Sequence, residues 1–151
     1  MSAQNLTLKA EQKFSEFLNL KDLKYTSQRK TILEESLNVS GHFTADDLLD
    51  IAKERDKSIS KATLYRTLSL LTEAQILEEH DFGNGRKSYE PLLGQSHHDH
   101  LICLECKKIF EFENDEIEQI QEREAAKIGF QILHHSHKLF GRCSACSGKA
   151  H

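Results

Sequence analysis

Apolar residues recur at three- and four-residue intervals through most of the first seventy-odd positions, then at two-residue intervals in several later stretches. Phe14, Phe17 and Leu18, at i, i+3 and i+4, predict a helix over about residues 7–20. Thr26 is placed to cap a second helix whose stripe is Ile32, Leu33 and Leu37. Thr44 opens a third, with Asp47 at the N3 position of a near capping box and Leu48, Leu49 and Ala52 facing inward. Ser60 caps a fourth. Its buried stripe is Leu64, Leu68 and Leu71, which turns Lys61, Ala62, Tyr65 and Arg66 outward in its first turns. Residues 76–82 and 86–90, joined by Gly83-Asn84-Gly85, predict a β-hairpin directly after that helix.

Helices followed at once by a hairpin predict a winged helix-turn-helix. The outward face of the fourth helix is then a recognition surface, where Arg grips guanine and Tyr touches base methyls or phosphate. An ordinary amphipathic helix with a solvated Arg is the plainer alternative. Beyond residue 96 the pattern predicts a strand entering at His97-His98-Asp99-His100-Leu101-Ile102-Cys103 and a second over 108–112. A helix over about 115–128 closed by Gly129 follows, and then an alternating strand from Phe130 to Phe140. The fold class is therefore α+β in two domains, 1–91 and 97–151, with a hinge at about 91–96, the stretch that holds the only proline.

A chain of 151 residues, 38% hydrophobic and 29% charged, has room for two small domains. Its net charge of −4 argues against nonspecific nucleic-acid binding but leaves room for a local positive face. Lys21, Lys24, Arg29 and Lys30 gather near one helix start, and Lys57, Lys61 and Arg66 flank another. A charge cluster alone is usually a solvated face. No stretch has the apolar length of a membrane span and no basic-then-apolar leader opens the chain, so a cytoplasmic protein without membrane contact is expected.

The four cysteines form two Cys-x-x-Cys pairs, Cys103/Cys106 and Cys143/Cys146, and in a reducing compartment such pairs hold metal more often than they form disulfides. One tetrathiolate zinc site follows. Six of the nine histidines lie in 97–137. With period two, His97 and Asp99 point to one side of their strand and His98 and His100 to the other, offering donors to two different ions; mixed imidazole and carboxylate suits a first-row divalent metal.

Leu23-Lys24-Tyr25-Thr26-Ser27-Gln28-Arg29, Ala62-Thr63-Leu64-Tyr65-Arg66-Thr67-Leu68, the His97–Cys103 run and the two cysteine pairs stand in one order that resembles the ferric uptake regulator family along nearly the whole chain. That resemblance implies a homodimer, open to pairing as a tetramer, with a winged helix on a double-stranded inverted-repeat operator and a C-terminal α/β dimerisation domain. It implies a regulatory metal site of His42, Glu90, His98, His100 and Glu111, and a second site of His97, Asp99, Glu118 and His135. It places Tyr65 and Arg66 in the major groove, Lys24 in the minor groove and Arg29 on phosphate. Pro91 looks like one residue inserted between Glu90 and His97, and the N-terminal helix is longer than in the shortest members.

The resemblance implies a metal-dependent repressor of iron-homeostasis genes rather than an enzyme. It further implies Zn²⁺ as the structural metal and Fe²⁺ as the signal, with Mn²⁺ or Zn²⁺ expected to substitute in vitro. Glu at 90 and 111, where peroxide-sensing relatives often have Asp, favours iron; manganese or peroxide response comes second. Zinc sensing comes third, because it tends to use a regulatory thiolate and the structural site takes all four cysteines. Two readings of other classes are a zinc hydrolase built on residues 97–100 and a zinc-stabilised interaction module. The hydrolase lacks a His-Glu-x-x-His helix and a nucleophile elbow.

Overall fold

The structure is a computed structural model describing residues 3–83, 85–94 and 97–148. Asn84 of the expected turn and Gln95-Ser96 of the expected hinge lie outside the described residues. The chain divides into two compact units, Met1–Gln95 and Ser96–His151.

The first unit runs α1 (Ala3–Leu20), α2 (Ser27–Asn38), β1 (Phe43–Thr44), α3 (Ala45–Arg55), α4 (Lys61–Glu73), β2 (Leu77–Asp81) and β3 (Lys87–Pro91). The helix starts follow from their caps. The Thr26 hydroxyl accepts from the Arg29 N–H, Ser60 accepts from the Thr63 N–H, and Thr44 and Asp47 complete a reciprocal capping box. The helices then turn their stripes onto one core in which Phe14, Leu18, Ile32, Leu33, Leu48, Leu64, Leu68 and Leu71 have no solvent exposure. Each such side chain contributes about 1.5–3 kcal/mol by leaving water.

The hairpin forms in the expected place and pairs Glu78 with Glu90 and His80 with Ser88. Gly83 and Gly85, at φ 71° and 75°, supply the left-handed backbone of its turn. The sequence did not signal β1, whose two residues pair with Tyr89 and Ser88 to give the order β1-β3-β2. Three cations of the two clusters are paired within the unit: Lys21 with Glu73, Lys30 with Glu11 at 3.0 Å and Lys61 with Asp46 at 2.9 Å.

The second unit runs β4 (Asp99–Cys103), β5 (Ile109–Phe112), α5 (Asp115–Lys127), β6 (Lys138–Gly141) and the single turn α6 (Ser144–Ser147). Its sheet has the order β5-β4-β6, with β5 antiparallel and β6 parallel to the central β4. Two expectations are corrected. The first strand begins at Asp99 rather than His97, and the strand expected over 130–140 is confined to 138–141. Phe130 and Leu133 are 64% and 88% exposed, and among the described residues only 138–141 of this stretch pair with β4. Asn114 caps α5 by accepting from the Glu116 and Ile117 N–H groups, and Gly129 ends it at φ 69°. No residue of α5 is buried.

Candidate metal centres and nucleic-acid face

Cys103 ends β4, Cys106 follows on its turn, Cys143 caps α6 and Cys146 lies within it. All four thiols are free, and their sulfur atoms lie within 4.8 Å of one another. Cys106 Sγ and Cys143 Sγ are 3.7 Å apart. A disulfide needs about 2.05 Å. Four sulfurs about 2.3 Å from a tetrahedral zinc are separated by about 3.8 Å, so the spacing fits that ion and not a disulfide. The electrostatics agree. Backbone N–H groups of Cys143 and Cys106 aimed at Cys103 lower its thiol to about 6, while hydrogen bonding with Cys143, burial and the neighbouring sulfurs push Cys146 up to about 12. One thiolate forms readily and the next resists, which is what a sulfur cluster does until a cation compensates its charge.

A second group lies wholly within the same unit: His97, Asp99, Glu118 and His135. The His97 and His135 Nε2 atoms approach to 2.7 Å. Glu118 Oε1 lies 3.4 Å from His97 Nε2 and 3.2 Å from His135 Nε2, and Asp99 Oδ1 lies 3.4 Å from His97 Nε2. Asp99 is buried at 2% exposure, and its Oδ1 and Glu118 Oε1 are shielded from water without a hydrogen-bond partner. Two imidazole nitrogens and two carboxylate oxygens, converging with buried acceptors unsatisfied, fit a divalent ion of the zinc or iron type.

The five residues expected at a regulatory site fall in both units. In the first, His42 Nε2 lies 3.2 Å from Glu90 Oε2, and Glu90 is 3% exposed. Its other oxygen, Oε1, is 2.6 Å from Nε2 of the buried His80. Against the cost of burial, hydrogen bonds from these two histidines hold the Glu90 carboxyl well below the usual carboxylate range. In the second unit, the His98 and His100 rings stand 5.0 Å apart, and His98 Nε2 lies 3.9 Å from Glu111 Oε1. His100 and Glu111 are register partners across β4 and β5. His80 escaped the sequence reading, although counting the hairpin register would have put it on the face of Glu78 and Glu90.

On the first unit, Lys24, Arg29 and Arg66 line one cleft with Thr26, Gln28 and Thr63. Arg66 is exposed and Tyr65 is 42% exposed at the start of α4. Arg29 donates from Nη1 to the Lys24 carbonyl at 2.5 Å, which holds the loop before α2 in shape. Tyr65 shares a second cleft with Arg86 of the hairpin, a cation the sequence reading did not single out.

Residues 20–140 match the model of the ferric uptake regulator family. The ferric uptake regulation protein of Campylobacter jejuni is 39% identical over 140 residues, spanning 91% of this chain and 88% of that protein. The structure of the Helicobacter pylori ferric uptake regulator, described as revealing three functional metal binding sites, superposes with a TM-score of 0.80 at 25% identity and 95% coverage of both chains. A zinc uptake regulator complexed with zinc and DNA superposes with a TM-score of 0.60 at 28% identity, covering 97% of this chain and 96% of that one. Agreement of the family match over most of the chain with a relative of this identity and coverage shows that the chain belongs to the ferric uptake regulator family.

Proposed function

We propose that this metal-dependent transcription repressor reads Fe²⁺ through His42, Glu90, His98, His100 and Glu111, and binds its operator when those donors are tied together. The observation that carries the reading is the division of the donors: His42 and Glu90 are gathered in the first unit, and His98, His100 and Glu111 in the second. An ion would supply positive charge that both sets of donors need. The consequence is a preference for one arrangement of the two units over others, sized by the difference in affinity between arrangements. The iron assignment rests on Glu90 and Glu111 together with the family of iron regulators; manganese or peroxide response is the second reading. The protein would act in the cytoplasm, where its operator is.

Cys103, Cys106, Cys143 and Cys146 would hold structural Zn²⁺, and His97, Asp99, Glu118 and His135 a further divalent ion. The Helicobacter pylori relative, with its three metal sites, supports three donor groups in one chain. A homodimer would cover Leu101, Phe110, Leu139 and Phe140, which are 36–49% exposed on the sheet of the second unit. Two copies would then present two recognition helices to an inverted repeat.

Tyr65 and Arg66 would enter the major groove, Lys24 the minor groove, and Arg29 would lie against phosphate. The DNA complex of the zinc uptake regulator supports this use of the first unit. Arg66→Ala is expected to weaken operator binding by about 1–3 kcal/mol, roughly 5- to 150-fold, without changing metal content. Fluorescence anisotropy at fixed salt, with metal analysis on the same samples, reads both quantities. Undiminished affinity would remove Arg66 from the interface.

A further inference from the structure

His137 Nδ1 is shielded from solvent and makes no hydrogen bond, yet it stands 3.6 Å from Asp99 Oδ2. The two oxygens of Asp99 serve different neighbours. Oδ1 lies 3.4 Å from His97 Nε2 inside the second donor group, whereas Oδ2 faces His137. The His137 ring is held in this position from two directions. Its carbonyl accepts from the His100 N–H at 3.2 Å just before β6, and the ring stands edge-on to Phe112, 6.2 Å away, where Phe112 is the register partner of Asp99 on β5.

We propose that His137 is a positioning residue for the second metal group: when Asp99 Oδ1 is engaged by an ion, His137 donates its Nδ1–H to Oδ2 and fixes Asp99 as a one-oxygen ligand. The proposal rests on the assignment of His97, Asp99, Glu118 and His135 as a metal site. The distance to be closed is small, since a hydrogen bond of this type spans about 2.7–3.2 Å and the pair now stands at 3.6 Å. Direct ligation by His137 fits less well. Four donors within 4.8 Å of one another already complete a four-coordinate shell, and the His137 nitrogen lies by Oδ2, whereas Oδ1 is the oxygen beside His97. A partner behind a ligand of this kind fixes its orientation and is worth about 10- to 100-fold in metal affinity.

The test uses the full-length, zinc-loaded protein carrying His98→Ala and Glu111→Ala, so that the regulatory donors do not compete, and Co²⁺ as the probe read by its visible absorption. His137→Leu is expected to weaken Co²⁺ binding by about 10- to 100-fold, and His137→Asn, whose amide nitrogen sits near the Nδ1 position, to restore it to within about threefold. His137→Gln, which places its nitrogen near Nε2 instead, is expected to stay weak. Should the leucine variant fail to fold, the asparagine and glutamine variants alone decide: equal affinities overturn the proposal. It is also overturned if leucine leaves affinity unchanged, or if asparagine is as weak as leucine, which indicates packing or direct ligation. Absence of Co²⁺ binding in the parent protein overturns the metal-site assignment itself, and that result is distinct from all the others.

Discussion

Replacing Cys106 by Ser is expected to strip one zinc ion per chain and unfold the second unit, while the first unit keeps its own cooperative transition. The size of the effect follows from how little else holds the second unit together. Among the described residues, its buried hydrophobic positions are Ile102, Cys103 and Cys146, and two of those three are themselves thiol donors. No residue of α5 is buried. A unit of this size without a substantial core needs a staple. Structural zinc in small tetrahedral sites contributes about 10–16 kcal/mol of apparent binding energy near neutral pH, and that energy is also folding energy. The first unit has its own core, from Ala10 to Tyr89, and depends on none of it. Elemental analysis and amide NMR check the two halves of the expectation separately. A Cys106→Ser protein with a folded second unit and full zinc content would mean that the sulfur cluster is not the staple.

Replacing His100 by Ala is expected to remove the response to Fe²⁺ while the cysteine-bound zinc stays. His100 is 3% exposed on β4, next to Glu111 on β5, and its ring pairs with that of His98. Loss of a direct donor should raise the Fe²⁺ needed for operator binding by at least about 100-fold, since even residues standing behind ligands are worth 10- to 100-fold. At that deficit the ion no longer discriminates enough between arrangements to shift their populations. Glu111→Gln checks the same point with less disturbance, because Glu111 is half exposed and the amide keeps its shape. Operator binding measured against free Fe²⁺ without oxygen gives the midpoint for each variant. An unmoved midpoint would take both residues out of the regulatory site.

Much of this molecule could be read from one-dimensional pattern, where local chemistry decides the structure. Thr26, Thr44 and Ser60 cap the helices they were expected to cap, because a cap needs only its own next three residues. The strand β1 could not be read in the same way. Its two residues exist as strand only because Tyr89 and Ser88 arrive from far along the chain. The stretch 130–140 shows the opposite failure, since alternation predicts a strand but only residues 138–141 have β4 beside them.

The donor groups divide along the same line. The cysteine spacing declared itself, and the alternation of His97 and Asp99 against His98 and His100 survives in the side-chain geometry. His80 and His137 did not stand out, because each lies beside a carboxylate, Glu90 or Asp99, that is brought to it by the folded sheet rather than by sequence proximity. Of the cations gathered near the starts of α2 and α4, Lys21, Lys30 and Lys61 are held by acids within the unit, a partnership that a count of charges does not show.

Metal-dependent repression is tested most directly by an anaerobic titration of a labelled inverted-repeat duplex with the zinc-loaded protein, at fixed salt, in the presence of Fe²⁺, Mn²⁺ or Zn²⁺. Fe²⁺ is expected to switch on tight binding, and a chelator to reverse it while the cysteine-bound zinc remains. Operator binding of equal strength with and without added metal would contradict metal-dependent repression.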